Sequence, residues 1–505
     1  MNNRIRLLIT SDIHGAYFPY KDADNSPSNS GIARLKTLID LMRNESTLLL
    51  DNGDFLSGSL FSRFHSLHHP DEVFPITRAM KELHYDYVNI GNHDLDYGTE
   101  TVFRNLDALG CPYMTANVLY HSKPIGANYA VREIAGKKLV LFAVTNSIAL
   151  KEQQPAKIRH LTIRDEFETV RRTVELVRRL EKPDIVIVMY HGGFERDPET
   201  GMIHEGYENN SGYRILRDIP GIDILIVGHT HIPLCGTAFS TAYLSVRKSG
   251  RQLGCIDIYT DTGVIEPRLI TSDAPADESL LALADEEEKE FQTWMNTPVA
   301  HTSMDLAISD PFAARFHKSQ AVTLVNHVLQ EASGADLSAY SLYTSFTGFH
   351  PEITYRDVMS CCRHIDHPVV KEITGSVLKQ YLEKTAEYWA IDGNSIIVNP
   401  RFLNPTDRSF LYDMVDGIEY TIRVSNDPGS RIEQLTRNGV PIADDDVFTI
   451  CLPRFRASGQ LGYSCLQNLK TVRSLEKTEA EYLLAWLEEH QNVSFEPSDN
   501  ITVIR

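Results

Sequence analysis

The stretch Ile5-Arg6-Leu7-Leu8-Ile9-Thr10-Ser11-Asp12-Ile13-His14-Gly15 runs a short apolar segment straight into a carboxylate, an imidazole and a glycine. The same arrangement recurs four times. Thr47 to Leu50 leads into Asp51-Asn52-Gly53-Asp54, and Tyr87 to Ile90 into Gly91-Asn92-His93-Asp94-Leu95-Asp96. Ile185 to Met189 leads into Tyr190-His191-Gly192-Gly193, and Ile224 to Val227 into Gly228-His229-Thr230-His231. Each apolar run is continuous rather than alternating, as expected of a strand buried on both faces. Amphipathic segments at Ile32 to Arg43 and Phe167 to Leu180 lie between the runs, and Leu139 to Thr145 adds a sixth strand pattern. Strands alternating with helices predict an α/β sandwich, which a hairpin over Tyr243 to Tyr259 is expected to close.

The residues after the runs point to metal chemistry. Strand ends are where ligand sites form in α/β sheets. In extended backbone, residues i and i+2 share a side, so Asp12 with His14, and His229 with His231, can each aim two ligands at one point. Neighbouring glycines allow the close turns that bring such loops together. Imidazole mixed with carboxylate suits Mn, Fe, Zn or Co better than Mg or Ca. The set holds more candidate ligands than one ion can use, so two divalent ions sharing a carboxylate is the economical reading. Histidines without such context, namely His65, His68, His69, His204 and His301, are expected to be structural. No Gly-x-Ser-x-Gly elbow and no Walker-type loop is present.

This series of motifs, from Asp12-x-His14 to Gly228-His229-x-His231, resembles the signature of the calcineurin-like metallophosphoesterases. The resemblance implies a four-layer α/β/β/α sandwich. It also implies one metal site at Asp12, His14, Asp54 and His231, and a second at Asp54, Asn92, His191 and His229, with Asp54 bridging. His93 would be the non-ligand histidine at the phosphoryl group, paired with Asp96 as in the 5′-nucleotidase branch. His93, oriented by Asp96, would supply a proton or hydrogen bond to the developing alkoxide.

The whole chain has 505 residues, 42% hydrophobic and 23% charged. Single cores stop growing at about 250 to 300 residues, so two domains are expected. They are placed at 1–270 (catalytic) and 301–505 (α+β), joined over 271–300 by an acidic linker helix whose charge run, Asp273 to Glu290, reads as a solvated face. In the second half, helical patterns at Ala321 to Glu331 and Val377 to Ala390 accompany strand patterns at Tyr420 to Val424, Arg431 to Leu435 and Val447 to Cys451, with a turn at Asn438-Gly439. A net charge of −19 argues against a nucleic-acid polymer or an anionic membrane as partner, though not against a small anion held by cations. The seven scattered cysteines, the lack of a signal-like h-region near Met1 and the lack of an apolar run of about 18 residues give a cytoplasmic expectation.

The segments Tyr412-Asp413-Met414-Val415-Asp416-Gly417, Ser430-Arg431-Ile432 and Phe455-Arg456-Ala457-Ser458-Gly459 resemble the C-terminal domain of the 5′-nucleotidase family. They are similar in particular to its 2′,3′-cyclic-nucleotide 2′-phosphodiesterase/3′-nucleotidase branch. The resemblance implies that Phe455 is one ring stacking on a nucleobase, with His364 at the other stacking position, and that Gln460 replaces a family glycine. The Gly-Gly-Ile-Arg motif of 5′-nucleotidases is absent, the corresponding stretch being Leu342-Tyr343-Thr344-Ser345-Phe346, and this favours the cyclic-nucleotide branch. The expected function is therefore two-metal hydrolysis of nucleotide phosphoesters, with a small nucleotide as substrate. A 5′-nucleotidase or nucleotide-sugar pyrophosphatase is the alternative, and a nucleotide sensor with a degenerate metal site is the reading from another class.

Overall fold

The computed structural model describes residues 3–153, 155–204, 207–344, 346–363, 365–403 and 407–505. The chain divides into two compact units, Met1–Lys289 and Glu290–Arg505. Unit 1 is built on two large sheets, besides a small three-stranded one of Val118–Tyr120, Lys123–Pro124 and Leu161–Ile163. The strands of the large sheets are β1 (Arg4–Thr10), β2 (Thr47–Asp51), β3 (Tyr87–Val88), β4 (Ala130–Ile134), β5 (Lys137–Thr145) and β6 (Ile185–His191). They continue with β7 (Ile224–Val227), β8 (Leu234–Ala238), β9 (Thr241–Ser245), β10 (Gln252–Tyr259) and β11 (Ile265–Thr271). One sheet has the order β11-β10-β1-β2-β3 and the other β8-β9-β7-β6-β5-β4. β1, β2 and β3 run parallel, with Leu7 opposite Leu48, and so do β5, β6, β7 and β9.

The continuous apolar runs follow from the layering. Alternate residues of one strand serve two cores. Leu139, Leu141 and Ala143 of β5 and Ile187 and Met189 of β6 pack with Ile5, Leu7 and Ile9 of β1 between the two sheets. Val140, Phe142 and Val144, together with Val186, Val188 and Tyr190, face the other way onto Val170, Val174 and Val177 of helix α2 (Glu166–Leu180). Helix α1 (Ile32–Met42) buries Ile32, Leu35 and Ile39 on the outer side of the first sheet. Each fully buried aliphatic side chain contributes about 1.5–3 kcal/mol, so a polar substitution in either core would open the sandwich. The result is a four-layer helix-sheet-sheet-helix unit in which the C-terminal ends of β1, β2, β3, β6 and β7 carry all five motifs.

Three details depart from the sequence reading. The stretch Tyr243 to Tyr259 is not a hairpin: β9 pairs with β7 and β8, whereas β10 pairs with β1 and β11. Residues 246–251 carry the chain from one sheet to the other, and Ser249 N–H is fixed to the Asp12 carbonyl at 2.7 Å. The acidic run forms two helices, Glu278–Ala282 and Asp285–Met295, with Leu280, Ala284 and Phe291 buried. Its charges are partly tied down, since Tyr20 and Arg78 bond Glu288 and Glu287 at 2.9 and 2.5 Å. The helix read over Val377 to Ala390 ends at Ala386, because Trp389 is buried in a short hairpin, Trp389–Asp392 with Ser395–Val398.

Unit 2 centres on a five-stranded mixed sheet in the order Asp413–Asp416, Leu337–Ser341, Val447–Leu452, Val369–Thr374, Thr471–Ser474. The helices Gln320–Ser333 and Gly375–Ala386 accompany it. A smaller sheet contains Ile432–Arg437 and Val440–Pro441, turned by Asn438 and Gly439 at φ 51° and 74°. This is an α+β unit, and the Asn-Gly turn supplies the positive φ values that a tight hairpin needs. Among the described residues no helix is long and apolar enough to cross a membrane.

Candidate metal centre

The loops after β1 and β2 zip together through their backbones. Asp12, His14 and Gly15 N–H donate to the carbonyls of Gly53, Asp54 and Phe55 at 2.8–2.9 Å. The loop after β3 is drawn in equally close. A Cβ on Gly53 would lie 2.5 Å from Gly91 N, and one on Gly91 would lie 2.1 Å from Asp54 Oδ1, so neither position tolerates a side chain. Asp12, His14, Asp54, His229 and His231 all adopt positive φ, between 54° and 65°, so the pairs Asp12/His14 and His229/His231 converge from left-handed backbone and not from the extended backbone expected from sequence. Left-handed backbone costs a non-glycine residue on the order of 1 kcal/mol or more, and such strain concentrates at functional sites.

Two groups of ligand atoms result. In Asp12, His14 and His231 one ligand atom of each residue lies within 4.8 Å of the others, and the same holds for Asp54, His191 and His229. His14 Nε2 and His231 Nε2 are 2.9 Å apart, and Asp12 Oδ1 is 3.3 Å from His231 Nε2. His191 Nε2 and His229 Nδ1 stand 3.1 and 2.9 Å from Asn92 Oδ1. Asp54 lies between the groups, its Oδ2 3.2 Å from His191 Nε2 and 3.9 Å from His14 Nε2. All seven residues sequence reasoning selected as ligands are therefore brought together.

The donor set fits cations on its own evidence. His14 Nδ1 and His191 Nδ1 face the carbonyls of Ser57 and Asn52 at 2.7 and 2.8 Å, which fixes their N–H there and turns both Nε2 lone pairs inward. Ring nitrogens and oxygens packed 2.9–3.2 Å from one another favour a positive charge between them, supplied by a proton or by a metal ion. Asp54 Oδ2 is fully buried and, among the described residues, has His191 Nε2 at 3.2 Å but no hydrogen bond of good geometry. Burial lowers His14 and His229 to about 3, so both rings are neutral and able to coordinate. Burial also opposes charge on His191, yet the Asp54 carboxylate overrides it and pushes that ring up to about 10. The field of Asp54 thus favours positive charge at this point, which a divalent ion would supply as a proton does.

His93 stands at the open side. Its ring is partly exposed, 5.4 Å from the His14 ring, and its Nδ1 is 3.0 Å from Asp96 Oδ2, leaving Nε2 directed away from that carboxylate. Ser57 Oγ donates to the same Asp96 oxygen at 2.7 Å. Two supporting residues were assigned no role from sequence. Ser57 carries no motif signal. Asp94 lies inside the Gly91-Asn92-His93-Asp94 motif, but only the fold reveals that its carboxylate accepts four backbone N–H groups, of Asp54, Phe55, Leu56 and Gly91, at 2.8–2.9 Å. Burial, and then the Asp54 charge, raise Asp94 to about 7 against those donors. Asp94→Ala would leave four N–H groups without their acceptor. It is expected to lower stability by about 2–3 kcal/mol, read as a reduced melting temperature of the metal-free protein, with Asp94→Asn recovering part of the loss.

In unit 2, Phe455 lies on a short helix, Arg454–Ala457, and is partly exposed. The backbone N–H groups of Arg454 and Phe455 donate to the Asp366 carboxylate at 2.9 and 3.0 Å. Buried Arg456 meets Asp413 at 2.6 Å, an oxygen that also accepts from Tyr381 Oη at 2.6 Å, and its guanidinium lies 3.9 Å over the Tyr463 ring. Asp413 and Arg456, both in motifs singled out from sequence, therefore anchor the turn that presents Phe455. His364 lies outside the described residues.

Residues 5–233 match the calcineurin-like phosphoesterase family, and residues 298–468 match the 5′-nucleotidase C-terminal domain. A 2′,3′-cyclic-nucleotide 2′-phosphodiesterase/3′-nucleotidase of Salmonella typhimurium is 24% identical over 90% of this chain and 81% of its own length. A 5′-nucleotidase of Vibrio vulnificus is 21% identical over 99% of this chain and 93% of its own. The crystal structure of a Staphylococcus aureus protein assigned as a 5′-nucleotidase superposes with a TM-score of 0.91 at 26% identity, covering 99% of this chain and all of that one.

Proposed function

The chain belongs to the calcineurin-like phosphoesterases that carry a 5′-nucleotidase C-terminal domain, and from that premise we propose that it hydrolyses phosphoesters of small nucleotides at a centre holding two divalent metal ions. The observation that carries the proposal is the pair of ligand groups, Asp12, His14 and His231 beside Asp54, His191 and His229, with the buried Asp54 Oδ2 reaching to 3.9 Å from His14 of the first group. Asp12, His14, Asp54 and His231 would hold one ion, and Asp54, Asn92, His191 and His229 the other. Bound there, two such ions polarise phosphoryl oxygens and lower the pKa of water. Mn, Zn, Fe or Co match the mixture of imidazole and oxygen donors.

The chain's own residues complete the reaction. Water attacks phosphorus opposite the ester oxygen and gives up a proton to solvent, the phosphorus–oxygen ester bond breaks, and the leaving oxygen takes a proton from His93, which solvent then restores. Asp96 holds Nδ1–H of that ring, which orients Nε2 toward the leaving group. Phe455 would stack on the nucleobase, with His364 as its counterpart across the base.

Within this class we favour 2′,3′-cyclic nucleotides and 3′-nucleotides. The support is the name of the Salmonella relative and the absence of the Gly-Gly-Ile-Arg motif at Leu342 to Phe346. The Vibrio and Staphylococcus relatives favour the second reading, a 5′-nucleotidase. Kinetics of the metal-loaded protein on 2′,3′-cyclic AMP, 3′-AMP, 5′-AMP and UDP-glucose separate the two. The first two substrates are expected to lead in kcat/KM by about tenfold or more, a margin that a few directed contacts supply. A preference for 5′-AMP or UDP-glucose would replace the first reading with the second.

A further inference from the structure

Gln153 comes from no recognised motif. It lies just beyond a short helix, Ala149–Glu152, more than fifty positions from the Asn92 loop, and is 7% exposed. Its single amide group makes two bonds inside the site: Nε2 donates to the backbone carbonyl of Asn92 at 3.0 Å and to Asp96 Oδ1 at 2.7 Å. The other Asp96 oxygen receives Ser57 Oγ and faces His93 Nδ1. From the same stretch, Lys157 Nζ donates to the Asp96 carbonyl at 2.7 Å. A carboxylate free to rotate about its last torsion would not keep one oxygen on His93, because that torsion is soft. Here both oxygens are assigned separate donors, so the plane of the carboxylate is set, and with it the direction of the imidazole.

We propose that Gln153 is a positioning residue for leaving-group departure, holding Asp96 so that His93 points at the ester oxygen while the same amide fixes the backbone of Asn92. The inference rests on the reading of His93 given above. A group that helps an alkoxide leave matters more as that alkoxide becomes more basic. The loss on removing Gln153 is therefore expected to depend on the leaving group, which a general loosening of the fold would not produce.

The test uses the full-length protein loaded with Mn²⁺ and compares wild type, Gln153→Ala, Gln153→Met, His93→Ala and the double variant His93→Ala/Gln153→Ala. Two substrates are used, a p-nitrophenyl ester with a good leaving group and a nucleoside phosphoester with a poor one. Gln153→Ala and Gln153→Met are expected to lower kcat on the nucleoside ester by about tenfold, and on the p-nitrophenyl ester by less than about threefold, at unchanged metal content. In the His93→Ala background, Gln153→Ala should add no further loss, since residues that act as a unit are not additive. Equal losses on both substrates, a multiplicative loss in the double variant, or full activity of both Gln153 variants beside a crippled His93→Ala would overturn this inference alone. Undiminished turnover of His93→Ala on both substrates would instead overturn the reading of His93, and the positioning role with it.

Discussion

Asp54→Ala is expected to bind at most one of the two ions and to lose turnover by on the order of 10³-fold, because Asp54 is the residue that faces both ligand groups. Its Oδ2 is buried and stands 3.2 and 3.9 Å from imidazoles of the two groups. No neighbouring carboxylate can replace it. Asp12 Oδ1 already accepts His229 N–H at 2.9 Å and its Oδ2 accepts Ser11 Oγ at 2.5 Å, while Asp94 is saturated by four backbone donors. The thermal stabilisation that metals give the wild-type protein should shrink in parallel, since a ligand that binds the folded state stabilises it in proportion to its affinity. Metal analysis, a melting curve with and without Mn²⁺, and a turnover assay read the three effects. An Asp54→Ala protein that keeps two ions and normal turnover would remove the bridging role.

His93→Ala should separate chemistry from metal binding. The ring lies beside the ligand groups but is in neither of them, and its Nδ1 is 3.0 Å from Asp96. Removing a positioned general acid typically costs about 10²- to 10⁴-fold in turnover. The expected outcome is a fall of that size in kcat while two ions per chain are retained. Loss of metal along with activity would make His93 a structural support of the centre, and unchanged kcat would remove it from the mechanism.

The positions of Asp54 and His93 are legible in the sequence because strand ends are legible, while their two roles are what the family resemblance implies. A continuous apolar run such as Ile5 to Thr10 marks a strand, and Asp12-x-His14 just beyond it marks where ligands can converge. The five strand ends mark a pool of candidate ligands, and the resemblance to the calcineurin-like metallophosphoesterases is what divides that pool into two metal sites. What the runs do not carry is partner choice. Tyr243 to Tyr259 contains two good strands, and nothing in their apolarity tells whether they pair with each other or, as β9 and β10 do, with different sheets. Backbone strain at Asp12, His14, Asp54, His229 and His231 was equally invisible, since positive φ is advertised by glycine and these are not glycines. Asp94 and Gln153 escaped for another reason. Their roles are hydrogen bonds to backbone atoms and to a second carboxylate, and any Asp or Gln can make such bonds once the fold brings it within reach. In unit 2, Asp413 and Arg456 lay in quoted motifs, but their mutual ion pair, which holds the Phe455 turn, depends on two segments meeting across the sheet.

The central claim is a two-metal phosphoester hydrolase, and its most direct test is a metal titration of activity. Protein stripped with a chelator is titrated with Mn²⁺ while hydrolysis of bis(p-nitrophenyl) phosphate is followed. Activity should be absent without metal and should rise to a plateau at two equivalents per chain. No hydrolysis at any ratio, with Mn²⁺ or with Zn²⁺, Co²⁺ or Fe²⁺, would contradict it and would leave a nucleotide-binding protein whose ligand set no longer works as a catalyst.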